Sequence, residues 1–440
     1  MFTVLCELLG VPGVIKEKGR QWLYLFIVIT LIVPLGTVGL TSDVQAEEQP
    51  DIDAKSYVLM DAESGSILLA KEADTPLPPA SMTKMMTEYL VLAAIEDGTL
   101  SWEQEVTVST NASKIEGSQV WLAENEVRTV KELFTAMSVY SANDATVALA
   151  EEIAGSETAF VGMMNEKAKE MGMSDTHFRN STGLPQEMYP DPPQVDGKHL
   201  MSAKDSAILA KHLITDFPDI TEFTTIDQAT FRDGEPGAID MINWNRMIKG
   251  LEHEYDGVDG LKTGETDAAG ACFTGTAVRD DMRLITVVMG TDSRAKRFQE
   301  TKKLLDYGFN NYEIQQFVKG KATIPQHETV EVTGGKKTEV QVITAKNVNI
   351  AVKKDAIDQY EAKVTFKEEL KAPIKAGDIV GDVTYLPDGK PTANMEPVPL
   401  LAAEDVDEAG WFRLFFRGIK DVVSGIFSSI VDSITGIFSK

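Results

Sequence analysis

The period of hydrophobic positions changes along this 440-residue chain, and each change predicts a new kind of element. An uncharged run from Trp22 to Leu40 comes first, behind Lys16, Lys18 and Arg20. Short apolar runs at Ser56–Asp61 and Ser66–Ala70, parted by Glu63-Ser-Gly65, predict two strands joined by a turn. Helical segments are predicted from Ser81 to about Ile95, from Val130 to Ala154 with a break near Ser141, from Thr158 to Met171 and from Ser202 to Ile214. Two more strands, Gly270–Val278 and Arg283–Met289, flank Arg279-Asp-Asp-Met282 as a hairpin, and a charged helix from Ser293 to Tyr307 follows. Early strands, a block of helices and late strands predict an α+β fold, one antiparallel sheet covered by helices.

From about Pro325 the texture turns β-rich. Glu328–Val332, Glu339–Thr344, Val348–Val352, Ala362–Phe366 and Ile379–Tyr385, with a turn at Pro387-Asp-Gly389, predict a small all-β domain. After the acidic run Glu404–Glu408, apolar residues fall at Phe415, Ile419, Val422, Val423, Ile426, Phe427, Ile430, Ile434, Ile437 and Phe438. Steps of three and four draw one stripe on a helix, with Arg413, Arg417, Lys420 and Asp421 off it. The expected division is a leader over residues 1–46, a first domain over 47–318, an all-β domain over 319–403, and an acidic spacer with amphipathic helix over 404–440.

The leader has the order of an export signal: basic residues, the compact apolar run Trp22–Val33 before Pro34, then Val44 and Ala46 spaced for cleavage before Glu47. A retained membrane anchor is the alternative, since the full uncharged run just spans a bilayer. The C-terminal stripe fits a helix lying in a membrane interface, with four basic against two acidic residues from Trp411 to Lys440. Docking on its own protein is the competing solution.

Composition narrows the function classes. The net charge of −26 opposes nucleic acid, whose phosphates it would repel. There are two cysteines, Cys6 and Cys272, and Cys6 leaves with the leader, so no disulfide is expected. Five histidines without paired ligand spacing give no reason to expect a metal or other cofactor.

Three short motifs carry the candidate chemistry: Ser81-Met-Thr-Lys84, Ser141-Ala-Asn143 and Lys262-Thr263-Gly264. Ser81 stands at a predicted helix start after Pro78-Pro79-Ala80, where its backbone N–H can stabilise an oxyanion. Lys84 lies one turn on and shares its face, so a partly dehydrated amine there would act as base. Ser141 interrupts the helical region and can relay a proton, while the Asn143 amide can hold a carbonyl. Lys262 brings positive charge, Thr263 a hydroxyl, and Gly264 lets a peptide backbone approach. Taken singly, Ser81 is equally well explained as a helix cap, and the Ser141–Asn143 pair is better explained as one. Together they supply a nucleophile, a base and a substrate clamp.

The triplet resembles that of the penicillin-binding protein and serine β-lactamase superfamily. Ala80-Ser-Met-Thr-Lys-Met-Met-Thr87, Tyr140-Ser-Ala-Asn-Asp-Ala145, Asn180-Ser-Thr-Gly-Leu184 and the segment Gly260–Gly270 make the chain similar to low-molecular-mass D-alanyl-D-alanine carboxypeptidases. The resemblance implies a β-lactamase/transpeptidase-like domain, a β-rich second domain and a C-terminal anchor on the outer face of the cytoplasmic membrane. It implies that Ser81 attacks the D-Ala–D-Ala bond of a peptidoglycan stem peptide, with Lys84 as base and Ser141 and Lys262 passing the proton on. Asn143 would hold the acyl side, the N–H groups of Ser81 and Glu265 would form the oxyanion hole, and Thr263 and Arg283 would bind the terminal carboxylate. Penicillin would acylate Ser81. Glu265 stands where many relatives place His or Tyr. The alternatives are a serine β-lactamase, with Glu187 as deacylating group, and a non-catalytic peptidoglycan-binding scaffold.

Overall fold

The computed structural model describes residues 49–354, 356–387, 395–413 and 415. The leader with Cys6, the tip of the Pro387-Asp-Gly389 turn and nearly all of the C-terminal amphipathic stripe therefore lie outside the described residues.

The first domain is built on five antiparallel strands: β1 (Ser56–Asp61), β2 (Ile67–Lys71), β3 (Val258–Thr266), β4 (Gly270–Arg279) and β5 (Met282–Thr291), in the order β2-β1-β5-β4-β3. Alternation explains why both faces are covered. On β1 and β5, Val58, Met60, Ile285, Val287 and Met289 enter one apolar cluster, while Tyr57, Leu59, Leu284 and Val288 enter another on the opposite face. Six of the helices are α1 (Lys84–Glu96), α2 (Val130–Tyr140), α3 (Asn143–Ala154), α4 (Glu157–Glu170), α5 (Ala203–Asp216) and α6 (Arg294–Asn311). The first cluster lies on the side of α1 to α5, with Met86, Phe134, Leu149, Phe160 and Leu209 inside it. The second lies under α6, with Phe298, Leu304 and Leu305.

Helix starts follow from side-chain caps. Thr129 and Glu132 form a capping box at α2, and Ser156, Ser202 and Ser293 accept the Ala159, Asp205 and Lys296 N–H groups. Each such cap stabilises its helix by about 1 kcal/mol. The expected α+β sheet covered by helices is the observed one.

The second domain holds β6 (Tyr312–Val318), β7 (Thr329–Glu331), β8 (Glu339–Thr344), β9 (Val348–Lys353), β10 (Tyr360–Phe366), β11 (Ile379–Pro387) and β12 (Val398–Ala402). Five of them form a sheet in the order β7-β8-β12-β11-β10, and β6 pairs with β9. Two details differ from the division expected at residues 318 and 403. Strand β6, assigned to the first domain, pairs with β9 from Tyr312 opposite Lys353. The acidic run is no spacer either: Val406 is buried and bridges Ile374, and Glu408 bridges Gly335. Its charges are drawn in by lysines, Asp405 to Lys375 at 3.2 Å, Asp407 to Lys336 at 3.0 Å, and Glu404 to Lys337. Sequence pattern showed the charge of Glu404–Glu408 but not the opposite charge waiting across a turn. Among the described residues no helix is long and apolar enough to cross a membrane.

Candidate active site

A cleft of about 780 Å³ opens where β3 meets the turn that carries Ser81. Ser81, Ser141, Asn143, Thr263, Gly264 and Glu265 all line it, so three segments far apart in the chain meet at one place. Lys84 and Lys262 lie just beneath the wall, 0% and 2% exposed.

Local geometry exposes the nucleophile. Residues Ala80–Thr83 form one 3-10 turn before α1, and Ala80 has φ 48, in the left-handed region. Two contacts hold it there. The Thr83 hydroxyl donates to the Ala80 carbonyl at 2.8 Å and itself lies 2.8 Å from Nε2 of half-buried His199. Burial keeps that imidazole neutral, its pKa lowered to about 3. Gly183 presses on the same carbonyl: a Cβ there would stand 1.8 Å from the Ala80 oxygen. From the other side Gly264 brings β3 against the turn, since its Cβ would meet the Pro79 oxygen at 2.7 Å and the Ser81 nitrogen at 3.1 Å. Only glycine permits either approach.

The side chains of Ser81 and Asn143 are not caps. No side chain caps the turn at Ala80 or the start of α1, and the Ser81 hydroxyl accepts a hydrogen bond from Lys84 Nζ at 3.1 Å. Lys84 Nζ also donates to Asn143 Oδ1 at 2.7 Å and to the Thr182 carbonyl at 2.9 Å. Asn143 Nδ2 donates to the Glu116 carbonyl at 2.7 Å, which fixes the amide's orientation. Burial, and then the Lys262 charge, push the Lys84 amine well below the ordinary lysine range. The result is an amine that gives up its proton readily, in hydrogen-bond contact with the hydroxyl it would deprotonate.

Ser141 ends α2 in the left-handed region with φ 61. Its Oγ is buried, lines the cleft and has no hydrogen-bond partner among the described residues. Behind it, buried Asp144 accepts the Val120 and Leu122 N–H groups at 3.1 and 3.0 Å, which anchors the wall that carries Gln119 and Trp121. Lys262 donates to the Thr263 carbonyl at 3.2 Å, leaving donors to spare. Glu265 turns outward and pairs with Arg294, whose guanidinium lies 5.2 Å from the centre of the Trp244 ring.

Arg283 is the one candidate that the fold does not bring to the cleft. It stands opposite Val278 near the β4–β5 turn, paired with Asp259 at 2.8 Å and bonded to Thr276 Oγ1 at 2.8 Å. Thr263 faces Phe273, and Phe273 faces Val288, five residues along β5 from Arg283. That is roughly 17 Å along the strand. The cleft draws its buried guanidinium from Arg297 instead, in the first turn of α6. Arg297 is 3% exposed, donates to the Gly264 carbonyl at 3.3 Å, and leaves Nε–H without an acceptor among the described residues. Burial pushes its pKa down to about 10. An unsatisfied buried cation in a cavity wall is a site for an anion. Sequence reasoning passed over Arg297 because nothing in Arg294–Arg297 distinguishes the inward guanidinium from the outward one.

Comparison with known proteins gives the family. The family model described as D-alanyl-D-alanine carboxypeptidase matches residues 43–293, and that of the penicillin-binding protein 5 C-terminal domain matches 312–408. The chain is 36% identical over 370 residues to D-alanyl-D-alanine carboxypeptidase DacF of Bacillus subtilis, covering 84% of this chain and 90% of that one. It is 34% identical over 375 residues to DacC of Escherichia coli, covering 84% and 88%. Among solved structures, penicillin-binding protein 5 from Haemophilus influenzae superposes with a TM-score of 0.69 at 33% identity, over 82% of this chain and 99% of that one. Penicillin-binding protein D2 from Listeria monocytogenes in its ampicillin-bound form does so with a TM-score of 0.52 at 32% identity, over 60% and 100%. With more than half of its length matched by the peptidase model and relatives aligned through both domains, the chain belongs to the D-alanyl-D-alanine carboxypeptidase family.

Proposed function

We infer that the protein is a serine D-Ala-D-Ala carboxypeptidase that works through an acyl-enzyme on Ser81. The observation that carries the assignment of residues is the placement of Lys84, buried, its charge disfavoured by its surroundings, and hydrogen-bonded to Ser81 Oγ and Asn143 at once. The family match favours this activity over the β-lactamase and scaffold alternatives.

The steps follow from the geometry. Lys84 takes the Ser81 proton as Oγ attacks the carbonyl carbon of the penultimate D-alanine, forming the Oγ–C bond. The Ser81 N–H, which Gly264 lets β3 approach closely, and the Glu265 N–H would receive the oxyanion. Ser141 and Lys262 relay that proton from Lys84 to the departing nitrogen, the C–N bond breaks, D-alanine leaves, and Lys84 is free to act as base again. Water then attacks the ester with Lys84 accepting its proton, and that proton passes to Ser81 Oγ as the Oγ–C bond breaks. The terminal carboxylate meets Arg297 and Thr263, a role the resemblance had assigned to Arg283 and Thr263. A penicillin offers a carbonyl and a carboxylate in the same relation, and the same serine captures it.

Purified protein is expected to release D-alanine from a peptide ending in D-Ala-D-Ala, and to gain the mass of one penicillin on the peptide that contains Ser81. Neither event occurring in folded protein would overturn the assignment.

The leader order of Lys16, Lys18, Arg20 and the Trp22–Val33 run supports export, and the stripe from Phe415 to Phe438 supports a peripheral hold on the outer membrane face. Removing residues 411–440 is expected to abolish co-flotation with anionic lipid vesicles and leave D-alanine release intact. Unchanged flotation would place the contact elsewhere.

A further inference from the structure

Trp121 is 69% exposed on the wall of the cleft, and its backbone has φ 56, in the left-handed region. A bulky side chain rarely adopts that conformation, which persists only where the surroundings impose it. Here two buried charges do so. Asp144 of α3 accepts the Val120 and Leu122 N–H groups at 3.1 and 3.0 Å. Arg232 lies in the turn between the paired strands Gln228–Phe231 and Ile239–Ile242. Its Nη1 donates to the Val120 carbonyl and its Nη2 to the Trp121 carbonyl, both at 2.9 Å. Glu126 holds that guanidinium through both its oxygens, each at 2.7 Å. Val120 and Leu122 are buried, and the indole between them is turned outward.

Other tryptophans of the first domain have partners for their rings. Trp102 packs edge-on against Phe134 and stacks on Phe223, and Trp244 donates Nε1–H to the Tyr140 carbonyl at 2.9 Å. The Trp121 indole makes no hydrogen bond or ring contact among the described residues. Its place in the cleft says what it would meet. A Cβ on Gly117 would stand 2.8 Å from Asn143 Nδ2, and the Asn143 N–H donates to the Ser118 carbonyl at 2.7 Å, so this wall starts against Asn143. Trp121 follows Gly117 by four residues, at most about 14 Å of chain. With Asn143 on the acyl side of the scissile bond and Arg297 on the leaving side, a substrate longer than two alanines continues along the wall that carries Trp121.

We propose that Trp121 is a specificity residue whose indole face takes the aliphatic side chain of the residue preceding D-Ala-D-Ala in the stem peptide. A large apolar ring whose backbone is already fixed by hydrogen bonds loses little freedom on binding, which suits it to select substrate. Its exposed surface is withdrawn from water when that side chain covers it. Trp121 touches no reacting atom, so its contribution falls on substrate binding and not on the bond-forming step.

The inference rests on the acyl-enzyme assignment, and the test separates the two. Native protein and Trp121→Ala, both as the full chain, are compared on two N-acetylated tripeptides ending in D-Ala-D-Ala, one beginning with glycine and one with Nε-acetyl-lysine. The native protein should prefer the acetyl-lysine peptide. The ratio of the two kcat/KM values should fall about tenfold in Trp121→Ala, mostly through KM, and Trp121→Tyr should keep most of the preference. A ratio that Trp121→Ala leaves unchanged, or a native enzyme that releases D-alanine from both peptides equally well, would overturn the proposal. Release from neither peptide by the native protein would instead defeat the acyl-enzyme assignment. Should Trp121→Ala not fold, Trp121→Gly decides by the same ratio, since glycine adopts the left-handed backbone freely.

Discussion

Ser81→Ala is expected to remove D-alanine release and covalent capture of penicillin together, lowering kcat/KM by at least about 10⁴-fold. The reason is that no other group in the cleft can form the ester. Ser141 Oγ also lines the cleft, but Lys84 Nζ hydrogen-bonds to Ser81, not to Ser141. Stability should change by less than about 1 kcal/mol, because the Ser81 hydroxyl caps no helix and makes a single hydrogen bond to a side chain. Lys84→Met should cost a similar factor in activity and more in stability. It strips the Asn143 oxygen and the Thr182 carbonyl of their buried donor. Serine and lysine act as a unit, so the double variant should be no less active than Ser81→Ala alone. Activity assays with thermal unfolding on the three variants check this. A double variant markedly slower than either single one would mean that the residues contribute independently, which the hydrogen-bonded pair does not allow.

What the sequence disclosed about this site follows a physical rule. Features set by neighbours within a few residues were legible: the break at Ser141, the shared face of Ser81 and Lys84, the strand under Lys262, the hairpin before α6. Features set by register or by packing between distant segments were not. Arg283 and Arg297 are both plausible cations by composition, and only the β4–β5 pairing shows that the first lies at the wrong end of the sheet. Glu88 stands at an i, i+4 step from Lys84, a spacing that on an exposed helix means an ordinary surface ion pair. In the fold it is instead fully buried, with no ion-pair partner among the described residues. The acidic run at 404–408 failed in the same way, since its lysine partners lie at 336, 337 and 375. The glycines behave alike: Gly264 was marked by its motif, but the pressure of Gly183 on Ala80 needs the loop from Asn180 folded back over the turn.

Arg297→Met is expected to lower kcat/KM for a substrate with a free terminal carboxylate by about 10²-fold or more, with most of the loss in KM. The guanidinium is buried, its charge disfavoured by its surroundings, and its Nε–H lacks an acceptor in the cleft. Those are costs the folded protein bears without substrate, and a carboxylate would relieve them by supplying both the charge and the acceptor. Two consequences separate this from general damage. First, the variant should be at least as stable as the native protein, because an uncompensated buried cation has been replaced by an apolar chain of similar length. Second, a peptide ending in D-alanine amide should already be poor for the native enzyme and should lose little more in the variant. The cycle of acid and amide substrates against native and Arg297→Met enzymes then isolates the coupling of carboxylate to guanidinium. Arg283→Met, whose partner is Asp259, should leave that coupling untouched. If the acid and amide substrates instead lose activity equally in Arg297→Met, the guanidinium supports the Gly264 strand and binds no carboxylate. The anion would then have to be held by Lys262.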